Sequence, residues 1–166
     1  MQRERDCFLA CKASPQSAAL RHTFFAERAT SKLPDVPTDT PLRPIKRVAV
    51  IGAGTMGGGI AMCFASAGVP VILVETAQAY LDNGLAKIRQ NYANSVKRGR
   101  YSAEAVTGWL DNISGTLEYA ELAEVDLVIE AVFENMAVKQ EVFRKLDAAC
   151  KPGCILASNT SYLDVN

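Results

Sequence analysis

Among the 166 residues there is one histidine, His22, and neither sign of charge prevails: 18 Lys and Arg stand against 18 Asp and Glu, a formal net charge of +0. The balance gives no clustered basic excess of the kind that holds nucleic acid, and no polybasic membrane anchor. The five cysteines, Cys7, Cys11, Cys63, Cys150 and Cys154, are odd in number. Their two C-x-x-x-C spacings have no nearby histidine to complete a zinc site, so they read as reduced cytosolic thiols and no metal is expected. Also missing are a P-loop, a G-x-S-x-G nucleophile elbow and an H-E-x-x-H zinc helix. None of the five tyrosines is followed by lysine at the fourth position, which disfavours a short-chain dehydrogenase. No internal repeat or low-complexity tract is seen. The amino-terminal Met-Gln-Arg-Glu-Arg-Asp carries acids and precedes no apolar core, unlike a secretory or transit segment, and cytoplasm is the expected location.

Half the residues are hydrophobic (49%), and a chain of this length buries roughly two-thirds of its unfolded surface, so a core needs neither disulfide nor metal. No charge interrupts residues 48–74, a span long enough for a bilayer, where about 20 apolar residues suffice. Six glycines and Pro70 within it point instead to strand, turn, helix and strand.

Two segments are expected. In residues 1–44, Ser14 caps a helix that Pro15 opens and that runs to about Thr30. Pro34, Pro37, Pro41 and Pro44 then make a stiff connector. That helix carries Phe24 and Phe25 but has no partner segment within the first 44 residues. In residues 45–166, apolar runs alternate with helical periodicity. Strands are expected at Val48–Ile51, Val69–Val74, Ile113–Thr116, Val125–Ala131 and Ile155–Ala157. Helices are expected to Ala67, over a long stretch containing Leu81, Leu85, Ile88, Tyr92 and Val96 and ending near Gly99, over Ala103–Leu110, and over Met136–Cys150. This series predicts an α/β fold: a Rossmann-type, doubly wound, mainly parallel sheet with a long helical insertion after strand two, preceded by a linker helix. Ligands of such a sheet bind at the carboxyl ends of its strands.

Gly52-Ala53-Gly54-Thr55-Met56-Gly57 follows the first strand and opens a helix. Gly52 permits the tight turn, Gly54 lets backbone approach a pyrophosphate, and Gly57 lets the helix pack on the strand. Unpaired N–H groups at the helix start then hold the phosphates. Glu75 ends the second strand about 20 residues on, where a carboxylate accepts from ribose hydroxyls and repels a 2′-phosphate, favouring NAD over NADP. Glu130, Glu134 and Lys139 lie where a doubly wound sheet keeps ligand contacts.

Three segments in order carry a closer likeness: Pro-Ile-Lys-Arg-Val-Ala-Val-Ile-Gly-Ala-Gly-Thr-Met-Gly-Gly-Gly-Ile-Ala (44–61), Asp-Leu-Val-Ile-Glu-Ala-Val-Phe-Glu-Asn-Met-Ala-Val-Lys (126–139) and Ala-Ser-Asn-Thr-Ser (157–161). Over about residues 45–166 the chain resembles the NAD-binding domain of the L-3-hydroxyacyl-CoA dehydrogenases. The helix Ala-Leu-Arg-His-Thr-Phe-Phe-Ala-Glu-Arg (19–28) looks closest to the multifunctional β-oxidation enzymes, in which a helix and linker join an enoyl-CoA hydratase domain to the dehydrogenase.

The resemblance implies NAD as cofactor and acyl-CoA as substrate. It places Ala131, Val132, Glu134 and Lys139 beside the ribose and nicotinamide, with Asn159 and Ser161 after the fifth strand and Ser161 on the reacting substrate oxygen. Asn91 and Arg98 fall near positions that meet coenzyme A, although Asn91 departs from the small hydroxyl residue expected there. The family's catalytic histidine has no match, since His22 precedes the linker. The chain therefore reads as a cofactor module cut short after its fifth strand, with a helical carboxyl-terminal domain to follow. Dehydrogenases of the 3-hydroxyisobutyrate and 6-phosphogluconate type, which share a glycine fingerprint followed by methionine, stay open. So does a non-catalytic nucleotide-binding or assembly module.

Overall fold

Val48–Ile51 forms β1 and Val71–Val74 forms β2, and every residue of both is buried. These strands belong to a computed structural model that describes residues 2–37 and 39–165. Met1, Thr38 and Asn166, which fall within the two expected segments, lie outside the described residues. Burial on both faces is why the two runs are continuously apolar rather than alternating. β3 (Ile113–Thr116), β4 (Leu127–Glu130) and β5 (Ile155–Ser158) complete one parallel sheet of order β3-β2-β1-β4-β5. The order reverses between β1 and β4, whose carboxyl ends Ile51 and Glu130 are in register. Such a reversal is where open α/β sheets keep their ligands.

Successive strand residues face opposite layers. Val50, Val71 and Leu73 pack under α3 (Thr55–Ser66), α4 (Gln78–Lys97) and α5 (Ala103–Asp111), joined by Ala61, Ile88 and Val106. Ala49, Ile51, Ile72, Val74 and Val128 pack on the other face with Val142 and Leu146 of α6 (Met136–Ala149) and Leu122 of a 3₁₀ turn at Tyr119–Leu122. Asn135 caps α6 by accepting from the N–H groups of Ala137 and Val138 at 3.0 and 3.2 Å, and Gly99 at φ 67° stops α4.

Two strands are shorter than the sequence suggests. The N–H of Val69 turns back to the Phe64 carbonyl and Pro70 has no N–H, so β2 begins at Val71. The N–H of Val125 closes the 3₁₀ turn onto Leu122, so β4 begins after it. Asp126 fastens the amino ends of the sheet. Its carboxylate accepts from the backbone N–H groups of Lys46 and Arg47 at 2.7 and 3.1 Å and pairs with Lys151 at 2.7 Å. The Lys151 hydrogen bond first, then that from Lys46, pull its pKa from the usual 3.8 to about 2.

The chain divides into two compact units that meet between Arg43 and Pro44. The first contains α1 (Gln2–Ala13) and α2 (Pro15–Ala29). α1 was not expected. Its apolar residues run together at 7–11 instead of recurring at helical spacing and none is buried, so it lacks the apolar stripe by which a surface helix is recognised. The expectation that α2 has no neighbour in this region is corrected: Arg21 donates to the Lys12 carbonyl at 3.2 Å, and Phe8 of α1 shares a groove with Leu20, Phe24 and Phe25 of α2. Ser14 caps α2 as its sequence implies, accepting from the Ser17 N–H.

Candidate functional site

After β1 the chain turns through Gly52 at φ 102°, a conformation that disfavours any side chain. A Cβ there would also lie 2.8 Å from the Ala131 carbonyl oxygen at the end of β4. Gly57 sits so close beneath the turn that a Cβ would come within 1.8 Å of the Gly52 oxygen. Gly54, by contrast, is exposed with nothing within 4 Å of its would-be Cβ, and no side chain caps the amino end of α3 that it begins. The first N–H groups of α3 are thus left to an incoming anion, at the positive end of the helix.

Glu75 stands just past β2. Its Oε1 accepts from the Ala53 N–H at 2.7 Å and its Oε2 from the Thr76 N–H at 3.0 Å. The carboxylate therefore bolts the glycine loop to β2. Since a carboxylate offers about four acceptor positions, capacity for ribose hydroxyls remains.

Gly52, Gly54, Thr55, Met56, Glu75, Ala131 and Val132 face one cleft of about 1290 Å³, above the range of roughly 300–1,000 Å³ typical for drug-sized ligands. Its far wall is not apparent in the sequence. Tyr119 of the 3₁₀ turn and Glu141 and Lys145 of α6 line it, with the Lys145 nitrogen 5.8 Å from the Tyr119 ring centre and 3.5 Å from Glu141. Burial pushes the Tyr119 phenol pKa upward, and Glu141 and Glu75 add to the shift. Ala53 and Gly57 are buried beneath the loop rather than on the cleft.

Behind the cleft floor lies a buried polar cluster. Glu130 is wholly buried, and Lys139 Nζ donates to both its oxygens at 2.8 and 2.9 Å. The same ammonium reaches Glu134 at 3.1 Å. The second Glu130 oxygen also accepts from the Ser158 hydroxyl at 2.7 Å, and the first from the Val132 N–H at 2.8 Å. Glu134 in turn takes the Thr160 hydroxyl and, at 3.2 Å, the Ser161 N–H. The Thr160 hydrogen bond, against some desolvation and with help from Lys139, holds the Glu134 pKa below the usual range. Burial pulls Lys139 down, but its hydrogen bonds to Glu130 and Glu134 outweigh that and leave it above its ordinary value. Lys139 was expected to face the cofactor. The structure turns it inward, 3% exposed, with its donors spent on two carboxylates.

The cluster ties the end of β4 to the loop after β5, where Asn159 donates its N–H to the Glu130 carbonyl at 2.8 Å and Ser161 is exposed. Asn91, on α4, and Arg98, its C-cap, are exposed and do not line the cleft. No group of His, Cys, Asp and Glu able to hold a metal occurs among the described residues.

The family description "3-hydroxyacyl-CoA dehydrogenase, NAD binding domain" matches residues 47–166. The chain belongs to this family. NAD is the family's cofactor, and the open glycine cradle with its uncapped helix start fits that group. A peroxisomal fatty acid beta-oxidation multifunctional protein of Arabidopsis thaliana is 42% identical over 166 residues, 99% of this chain and 23% of that protein. The peroxisomal bifunctional enzyme of Homo sapiens is 37% identical over 171 residues, 100% of this chain and 23% of that protein. The crystal structure of (S)-3-hydroxybutyryl-CoA dehydrogenase from Ralstonia eutropha superposes with a TM-score of 0.72 at 32% identity, covering 74% of this chain and 43% of that one. The chain thus spans about a quarter of the length of these multifunctional relatives.

The relatives overturn the cytoplasmic expectation, because these similar proteins are named as peroxisomal. Receptor-read addresses to that organelle are short segments that leave no mark on a domain's composition. No described helix is long and apolar enough to cross a membrane.

Proposed function

We propose that this chain is the cofactor-binding part of a peroxisomal β-oxidation protein that oxidises L-3-hydroxyacyl-CoA to 3-ketoacyl-CoA. The observation that carries the reading is the convergence on one cleft of the Gly52–Gly54 cradle, Glu75 and the β4 end at Ala131 and Val132. The N–H groups of Thr55 and Met56 would take the pyrophosphate and Glu75 the adenosine ribose. When bound, NAD supplies the acceptor for the hydride that leaves C3 of the substrate, while the 3-hydroxyl proton goes to a base. Ser161, exposed after β5, is assigned to the reacting oxygen. Asn91 and Arg98 are assigned to the coenzyme A arm.

Lys139 acts behind the site rather than in it, fixing the carboxylates that hold the Ser161 loop. The chain's one histidine is exposed on α2, in the first unit. The base is therefore assigned to the remainder of the parent, as are a helical domain closing over the acyl chain and a hydratase domain packing on the first unit. The test is acetoacetyl-CoA turnover with NADH by this chain. Binding of NADH with negligible turnover is expected, and rapid turnover would show that a base within these residues had been missed.

A further inference from the structure

Helix α4 contains a glycine, Gly84, that is buried in the stripe formed by Leu81, Ile88 and Tyr92. Helix propensity favours alanine at such a position, so the glycine needs a reason. A Cβ built on Gly84 would lie 2.4 Å from the Ala53 Cβ, 2.7 Å from the Ala53 carbonyl oxygen and 3.3 Å from its Cα. Two of those distances are below any ordinary contact, and one neighbour is backbone, which cannot swing aside as a flexible side chain can.

Ala53 is the second residue of the glycine fingerprint and is itself buried, 5% exposed. It is held from two sides. Its N–H is drawn to Glu75 at 2.7 Å, and its carbonyl and methyl rest on the bare backbone of α4 at Gly84. The next residue, Gly54, has open space around it and begins α3. Whatever fixes Ala53 therefore fixes the direction in which the first N–H groups of α3 point.

We propose that Gly84 is a positioning residue for the dinucleotide: it lets α4 seat against Ala53 and so sets the phosphate-binding loop. The inference rests on the NAD reading above. It also makes α4, the helix that carries Asn91, part of the cofactor site's support.

Loop misplacement of this kind weakens the charge-assisted hydrogen bonds from the N–H groups of α3 to phosphate, and the loss of one such bond reads as about tenfold or more in affinity. The test is NADH fluorescence titration and a thermal melt of the whole 166-residue chain and four variants. Gly108→Ala, in an exposed α5 position with nothing within 4 Å of its Cβ, controls for helix propensity and should bind NADH within about twofold of the parent. Gly84→Ala should melt cooperatively yet bind NADH about tenfold or more weakly, and adding Ala53→Gly should restore part of the affinity by removing the methyl it strikes.

A purely structural Gly84 would lower the melting temperature and leave affinity as it was. Folded Gly84→Ala that binds within about twofold of the parent therefore overturns the proposal. If Gly84→Ala does not fold, the comparison is Ala53→Gly against Ala53→Gly/Gly84→Ala, and equal affinity in that pair overturns it. Failure of the folded parent to bind NADH would instead overturn the NAD reading, and the role of Gly84 with it.

Discussion

Glu75 fastens the Ala53 N–H at 2.7 Å and lines the cleft, where the function proposed above has its carboxylate accept from the ribose hydroxyls and repel a 2′-phosphate. Glu75→Ala should weaken NADH by about tenfold, close to 1.4 kcal/mol, while NADPH loses less because a repelling charge has gone. Parallel fluorescence titrations measure both, and unchanged NADH affinity would remove Glu75 from the site. Lys139 illustrates the opposite case. Its position in the sequence, early in the helix after β4, is equally consistent with facing cofactor or core, and helix periodicity does not decide between them. The buried carboxylate of Glu130, which attracts it inward, is legible only once β4 and α6 are packed. Lys139→Met would leave Glu130 buried without its cation, a loss of about 3–5 kcal/mol. Denaturant unfolding of the variant reads it directly.

The fingerprint element was legible because its meaning is local: strand, glycine turn, helix and a strand-end acid follow each other along the chain. The far wall of the cleft was not. Tyr119 comes from the β3–β4 connection and Glu141 and Lys145 from α6, and only the fold brings them opposite Glu75. Strand ends erred where Pro70 and the 3₁₀ turn redirect backbone donors, and α1 escaped because it buries nothing.

Gly57→Ala places a methyl 1.8 Å from the Gly52 oxygen, a distance that no rotamer relieves. NADH binding should fall about 100-fold or more, measured beside Gly59→Ala, whose Cβ meets nothing within 4 Å and which should bind as the parent does.

Across the whole molecule, the carboxylate at the amino-terminal end of the sheet is one group that ties stability to pH. Asp126 titrates near 2 when folded, against its usual 3.8, so the folded state binds fewer protons than the unfolded chain in that interval. Its contribution is present in full above the usual value and is lost as pH falls through the folded one. Asp126→Asn should therefore melt at a lower temperature than the parent at pH 7, and the gap should narrow as pH falls toward 2. A gap that stays constant over that range would show that Asp126 is not the titrating group.

The cytoplasmic expectation fails because neither balanced charge nor reduced thiols distinguish cytoplasm from peroxisome, the compartment named for the similar proteins. We propose that the cleft lined by Gly52, Gly54 and Glu75 is an NAD site whose carboxylate rejects NADP. Titrating the folded chain with NADH and NADPH side by side tests it most directly. Saturable binding that favours NADH is the predicted result, and no binding, or equal affinity for both, would contradict it.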